Sequence, residues 1–382
     1  MSKLKLQVPV GTGDYLPKEC AEKRRLEYLF RENFRLNGYS EIETPSFEYY
    51  DVFTHDAVPY VQENMIKFFD LQGRILALRP DMTGPIARMA ATKLLPESEL
   101  LRLCYIANVY GFKSGQGRTQ TTQAGVELIG KRGASADAEV IAVAVQSLLA
   151  NGLEGFKIDI GQVAFFKGLI EKAGLTEEQQ ERVRLLVDSK NNVELEYELS
   201  RLGLDGQVKQ SLLELSNLFG GEEVFEAARK YAGNEQCSFA LDNIREVYDI
   251  LCDFGYGEYI SIDLGLLNNF NYYSGILFRG IAHGIGVPIL SGGRYDELIR
   301  EFGKDASATG FAIGIKELLM VLEKQDRLLN DTAKTKVVRC KPAQRVQAYK
   351  YAQELRAKGE RVVMETNGAG YSSAQYEVID FE

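Results

Sequence analysis

Histidine is nearly absent from this sequence, with His55 and His283 the only two in 382 residues. Metal sites draw on clustered His, Cys and carboxylates, so no metal centre and no bound cofactor is expected. The five cysteines, Cys20, Cys104, Cys237, Cys252 and Cys340, are scattered without any C-x-x-C pair. That spacing suits buried thiols in a reducing compartment better than disulfides or a zinc site. No uncharged apolar run approaches the roughly 20 residues that span a bilayer, and the first residues lack the apolar core of a signal peptide. A cytoplasmic location, away from any membrane, is the expectation. Basic charge is also scarce, with 45 Lys plus Arg against 54 Asp plus Glu and a net charge of -9. Proteins that grip nucleic-acid backbones cluster cations, so this balance argues against such a role. The one evident basic cluster, Lys23-Arg24-Arg25, sits among acidic residues in a predicted helix and reads as a solvated face.

What is present is enough for two or three ordinary domains. Apolar residues at helical spacing (Leu26, Leu29, Phe30, Phe34) predict a helix over 21–36, stopped by Asn37-Gly38. Alternation over 39–48 predicts a strand ending at Pro45, and 66–78 a hairpin around Gln72-Gly73. A helix is expected over 84–93, strands over 101–110 and 123–129, an alanine-rich helix over 135–151 and a strand over 156–160. From about 163 to 250 the pattern becomes helical and charged, which predicts a helical insertion. Strand signals return at 259–264, 275–279, 287–290 and 310–315.

These elements imply an α+β fold, a largely antiparallel sheet flanked by helices, over 1–326. A polar stretch follows, and the remainder, 327–382, predicts a small C-terminal α/β module. Its elements are a strand at 337–340, a helix at 343–358, a strand at 361–365 and a last strand at 376–381.

Four segments carry the chemistry. They are Gly38-Tyr-Ser-Glu-Ile-Glu-Thr-Pro45, then Leu78-Arg-Pro-Asp-Met-Thr83 with Ala87-Arg88, then Gln123-Ala-Gly-Val-Glu127, and finally Asn271-Tyr-Tyr-Ser-Gly275 with Gly292-Gly-Arg-Tyr-Asp296. Taken alone, Tyr272 and Tyr273 could be core aromatics, and Gln123 and Glu127 could project from a solvated sheet face. In this order and spacing, however, the segments resemble class II histidyl-tRNA synthetases over nearly the whole of the first 320 residues. The resemblance implies a class II synthetase-like sheet, a dimer interface at the first segment and a pocket for the amino acid histidine. Carried over residue by residue, it nominates Asp81, Thr83, Gln123, Glu127, Tyr272, Tyr273 and Tyr295. Carboxylate, amide and tyrosine groups are suitable partners for an ammonium and an imidazole. Gln123 and Glu127 lie four residues apart, so on a strand both face the same side.

The family's catalytic arginines, by contrast, have no counterpart. The position that binds the ATP α-phosphate falls on Gly111, a second arginine position on Asn268, and the third, in the helix after Ala308-Thr-Gly-Phe-Ala-Ile-Gly314, on Glu317. A carboxylate repels phosphate oxygens where an arginine would neutralise them. Three such losses remove the groups that stabilise developing negative charge during adenylate formation. The C-terminal stretch is also too short for the family's anticodon-binding domain.

A synthetase-like chain without these arginines resembles the regulatory subunit of ATP phosphoribosyltransferase. That family works with a separate short catalytic subunit, which condenses ATP with phosphoribosyl pyrophosphate in the first step of histidine biosynthesis. The resemblance implies no independent catalysis, a dimer within a hetero-octamer, and feedback inhibition with L-histidine as effector; tRNA is not an expected partner. Asp305-Ala-Ser-Ala-Thr-Gly310 superficially approaches a phosphoribosyl pyrophosphate loop but lacks the acidic pair that loop needs. A divergent histidyl-tRNA synthetase and a stand-alone paralogue that binds an amino acid or tRNA remain as alternatives.

Overall fold

Pro17 opens the first helix, α1 (Pro17–Leu36), about one turn before the start expected at residue 21. A proline there loses no helical hydrogen bond and pre-sets φ, so the helix extends beyond its periodic core. Leu26, Phe30 and Phe34 are fully buried on one face. The helix ends at Asn37, and Gly38 takes φ 80°, a left-handed stop that glycine accepts without strain. The basic cluster is less solvated than its composition predicts. Lys23 is buried against Glu27 at 2.9 Å, Arg25 pairs with Glu22 at 3.0 Å, and Arg24, the exposed one of the three, reaches the other Glu27 oxygen at 2.6 Å.

The computed structural model describes residues 6–9, 11–54, 64–111, 120–171, 173–204, 206–267, 272–328, 334–366 and 376–381. They form two compact units, Met1–Leu328 and Leu329–Glu382.

The strand expected over 39–48 is split into β1 (Ser40–Glu41) and β2 (Phe47–Tyr49). Pro45 interrupts the ladder, and the buried Arg79 guanidinium takes up the freed carbonyls, donating to Thr44 O at 2.7 Å and Pro45 O at 3.1 Å. β2 continues into a small antiparallel sheet with the hairpin β3 (Lys67–Phe69) and β4 (Ile75–Leu78), in the order β2-β4-β3. After it, α2 (Thr83–Met89) runs into a π-helical turn at Ala90–Leu94.

Strands β5 (Leu101–Tyr110) and β6 (Gln120–Ile129) then form a long antiparallel pair, followed by α3 (Ala134–Ala150) and β7 (Phe156–Gln162). Next come the helices α4 (Val163–Glu171), α5 (Glu177–Asp188), α6 (Asn192–Arg201) and α7 (Gly206–Leu215). The short β8 (Phe219–Gly220) leads to α8 (Glu223–Arg229) and α9 (Glu235–Asp253). The sheet resumes with β9 (Ile260–Asp263), β10 (Ile276–Ala282) and β11 (Leu290–Arg294). Helix α10 (Asp296–Glu301), β12 (Ala308–Gly314) and α11 (Ile315–Lys324) complete the unit.

Nine strands pair in the order β1-β5-β6-β12-β11-β10-β7-β9-β8. All neighbours are antiparallel except β1 with β5 and β7 with β9. Alternate residues of β6 divide the sheet's two faces. Ala124, Val126 and Leu128 join the main core with α1 and α3, whereas Gln123 and Glu127 point to the opposite face, beneath α2.

One strand lies later than its sequence signal, since β11 covers Leu290–Arg294 where a strand was expected over 287–290. Gly292 lies inside this strand and serves close packing. A β-carbon there would lie 2.4 Å from Gly310 O and 2.6 Å from the Phe278 ring.

The second unit is a three-stranded sheet of β13 (Thr335–Cys340), β14 (Val362–Glu365) and β15 (Tyr376–Phe381), both outer strands running parallel to β13. Helix α12 (Arg345–Ala357) crosses between β13 and β14 after a 3-10 turn at Pro342–Gln344 and buries Ala348, Ala352 and Leu355 against Val338.

Candidate functional site

The sheet face away from α1 carries a second core of Met82, Ile86, Tyr105, Tyr272, Tyr295 and Leu298. Within it lies a cavity of about 290 Å³ whose wall includes all seven nominated residues, Asp81, Thr83, Gln123, Glu127, Tyr272, Tyr273 and Tyr295.

Glu127 is the centre of this arrangement. It is 1% exposed, and both of its oxygens accept hydrogen bonds. Oε1 accepts from the Thr83 hydroxyl at 3.2 Å, and Oε2 accepts a short bond from the Tyr295 hydroxyl. Thr83 begins α2, and Tyr295 sits immediately before α10 with its N–H held by Ala308 O at 2.8 Å. Tyr272 stacks on Tyr295 with ring centres 5.7 Å apart and meets Tyr273 edge-on at 4.9 Å. These ring geometries fix the aromatic wall.

Asp81 lies in the turn before α2 and accepts from the Gly84 N–H at 3.3 Å. Gln123, four residues before Glu127 on the same strand, has a buried Oε1 with no hydrogen-bond partner among the described residues. A buried acceptor of this kind is costly unless a donor arrives.

The electrostatics follow from burial without a counter-charge. Burial pushes the Asp81 carboxyl up to about 7, with the Gly84 and Thr83 amides opposing it. It pushes Glu127 up to about 8, against the hydrogen bonds from Tyr295 and Thr83 and with further repulsion from Asp81. The Tyr105, Tyr272 and Tyr295 hydroxyls are held well above their ordinary value for the same reason. Among the described residues, no Lys or Arg lines the cavity. Such a wall accepts hydrogen bonds and favours positive charge over phosphate.

Gly111 directly follows β5, and Glu317 lies in the first turn of α11. Neither lines the cavity. Asn268 lies outside the described residues. The Glu317 carboxylate folds back over Gly314, with Oε2 2.1 Å from where a β-carbon on that glycine would stand. Tyr105 is a wall residue that sequence reasoning missed. It pairs with Gly125, between Gln123 and Glu127, and its hydroxyl lies 2.5 Å from the β-carbon position of that glycine. Only the register of β5 on β6 reveals this, although the glycine between two polar cavity residues was a usable signal. Among the described residues no cluster could hold a metal ion, and no helix is long and apolar enough to cross a membrane.

Comparison with known proteins agrees with this geometry. The sequence model of the histidyl-tRNA synthetase family matches residues 11–318. The ATP phosphoribosyltransferase regulatory subunit of Acetivibrio thermocellus is 44% identical over 377 residues, spanning 98% of this chain and 90% of that protein. The protein of the same name from a Thermoanaerobacter species is 42% identical, over 99% of this chain and 100% of its own length. Among solved structures, an ATP phosphoribosyltransferase regulatory subunit/histidyl-tRNA synthetase from Bacillus halodurans superposes with a TM-score of 0.91 at 35% identity. The match covers 100% of this chain and 99% of that one.

Proposed function

The chain belongs to the ATP phosphoribosyltransferase regulatory subunits, built on the histidyl-tRNA synthetase fold, and on that premise we propose that its cavity binds L-histidine to control a separate, short catalytic subunit. The observation that carries this reading is the imbalance of the cavity wall. The buried Glu127 carboxyl, the half-buried Asp81 carboxyl and Oε1 of Gln123 face inward, and among the described residues no lining cation and no partner for that Oε1 answers them. Free histidine brings an ammonium at one end and ring N–H donors at the other, and so satisfies acceptors at both. Discrimination follows, because a ligand lacking either donor leaves a buried acceptor unpaired.

In this reading the chain supplies control, and condensation of ATP with phosphoribosyl pyrophosphate belongs to the partner. Histidine lowers the rate by binding one arrangement of the complex more tightly than another. Self-association near the first motif is part of the same proposal, as a dimer within a hetero-octamer in the cytoplasm. The β2-β4-β3 sheet supports it with exposed Phe47, Tyr49 and Phe68 on one face.

Co-purification with the short phosphoribosyltransferase, followed by rate assay with and without histidine, tests the reading. Co-elution and a histidine-dependent fall in rate are expected. Absence of both would favour a stand-alone paralogue. Robust histidine-dependent ATP–pyrophosphate exchange by this chain alone would favour a divergent histidyl-tRNA synthetase.

A further inference from the structure

Tyr295 is gripped on both sides by one serine. The Ser274 N–H donates to Arg294 O, the carbonyl just before Tyr295, at 2.8 Å, and the Ser274 hydroxyl donates to the same oxygen at 3.3 Å. The hydroxyl oxygen also accepts from the Asp296 N–H, just after Tyr295, at 3.1 Å. Ala308 completes the bracket from β12. Its carbonyl accepts from the Tyr295 N–H at 2.8 Å, and its own N–H donates to Asp296 Oδ1 at 2.8 Å.

The Arg294 side chain turns away from the cavity and into a separate cleft at the start of α3. It forks onto Asp137, with Nε 3.2 Å from Oδ2 and Nη2 2.9 Å from Oδ1, and Nη1 donates to Asp296 Oδ1 at 3.2 Å. Asp137 lies in the first turn of α3, and both members of the pair are buried. A fork of this kind is directional and charge-assisted, so it fixes the chain on either side of Tyr295 against α3.

The segments 272–275 and 293–296 also interlock through glycine. A β-carbon on Gly275 would stand 3.2 Å from Arg294 Cδ, and one on Gly293 2.7 Å from the Tyr273 ring. Gly275 thus makes room for the arginine stem and Gly293 for the tyrosine. The stack of Tyr272 on Tyr295 takes one ring from each segment, and such a pair keeps its geometry only where both backbones are held. Ser274, Arg294 and Asp296 do not line the cavity, yet they hold the residues that do.

We propose that Ser274 and Arg294 are positioning residues for the aromatic wall. Ser274 sets Tyr272 and Tyr273 against Tyr295, and Arg294 anchors that joint to α3 through Asp137. Without the bracket the Tyr295 hydroxyl shifts from Glu127 and its ring from Tyr272, so affinity falls although every cavity side chain is unchanged. The part of this that concerns affinity rests on the histidine reading of the cavity; the bracket itself does not.

The test compares Ser274→Ala, which removes the hydroxyl, with Ser274→Thr, which keeps it, in the full chain. Calorimetric titration with L-histidine is expected to show about fivefold weaker binding in Ser274→Ala and binding within about twofold of wild type in Ser274→Thr. A serine that only stabilises the fold lowers the melting temperature and leaves the affinity of the folded protein alone. Wild-type affinity in Ser274→Ala therefore overturns the proposal, and so does equal weakening in both variants. Amide hydrogen exchange at Tyr295 reads the bracket without any ligand, because that N–H donates to Ala308 and not to Ser274. Exchange there is expected to quicken about fivefold in Ser274→Ala only. Unchanged exchange in a folded Ser274→Ala protein overturns the proposal whether or not histidine binds. A wild-type chain that ignores histidine yet shows the exchange difference overturns the cavity reading and upholds the bracket. If Ser274→Ala does not fold, Arg294→Lys, which keeps the charge but not the fork, takes its place with the same expectations. Failure of both to fold counts against the proposal.

Discussion

Glu127 and Gly310 face each other across β6 and β12, and the carboxylate of the first occupies the space that a side chain on the second would need. A β-carbon on Gly310 would stand 1.8 Å from Glu127 Oε2, far inside contact distance. The glycine in the family signature around Ala308 to Glu317 therefore serves the amino-acid side of the cavity as much as the strand it belongs to. Gly310→Ala is expected to displace the Glu127 carboxylate from Tyr295 and Thr83 and weaken histidine binding by at least about tenfold. Tyr295→Phe, which removes one donor and adds no bulk, is expected to cost less, about 0.5 to 1 kcal/mol of binding, which is under tenfold. Calorimetric titration of both variants checks the order, and equal affinities for wild type and Gly310→Ala would contradict it.

The raised carboxyls give the empty protein a definite pH dependence. Burial holds Glu127 near about 8 and Asp81 near about 7, both above the ordinary carboxylate range. The folded chain thus keeps protons that the unfolded chain releases at lower pH. Their contribution to stability is fully present below the unfolded values and is lost as pH rises through the folded ones. Glu127→Gln removes the ionisable group while keeping most of the shape. Its melting temperature relative to wild type is expected to climb between about pH 5 and pH 8 and to level off above. Thermal melts at three pH values suffice, and a flat difference would rule out the ionisation of Glu127 as a cost. Binding of a cationic ligand favours the charged carboxylates, so histidine titrations in buffers of different ionisation enthalpy should reveal proton release as well.

Elements with long, regular periodicity are legible in the sequence almost to the residue. β5 runs over Leu101–Tyr110 as expected, and the weaker signal at 376–381 also coincides with β15, Tyr376–Phe381. The element boundaries that differ have specific causes. Pro17 extends α1 beyond its apolar stripe, and Arg79 stabilises the break at Pro45 from a different part of the chain. β11 runs on to Arg294 because Gly292, with no side chain, lets Phe278 pack against the strand there. The cavity residues were readable only through their motif spacing, since nothing in the periodicity separates Tyr272 from an ordinary core tyrosine. Tyr105 escaped because its place depends on pairing with Gly125, a long-range register that no local pattern encodes. The fork from Arg294 to Asp137 is hidden for the same reason, because 157 residues separate the two partners.

Glu317 reads from sequence as a lost arginine, and the structure gives the carboxylate a position of its own. It occupies the first turn of α11, where the helix presents unpaired N–H groups and the positive end of its dipole. A negative side chain there is stabilising, whereas an arginine would set a cation against the same positive end. Restoring the synthetase residue by Glu317→Arg is therefore expected to destabilise the protein, by about 0.5 to 2 kcal/mol from the reversed charge alone. Glu317→Gln should cost roughly half as much, because it removes the favourable charge without adding an unfavourable one. Neither change is expected to bring histidine-dependent ATP–pyrophosphate exchange, because the position after Tyr110 is Gly111 and offers no side chain to the α-phosphate. Denaturant melts of the two variants, paired with the exchange assay, check both statements. A stable Glu317→Arg protein with measurable exchange would mean that a single charge, and not the combined loss at several positions, keeps this cavity from activating an amino acid.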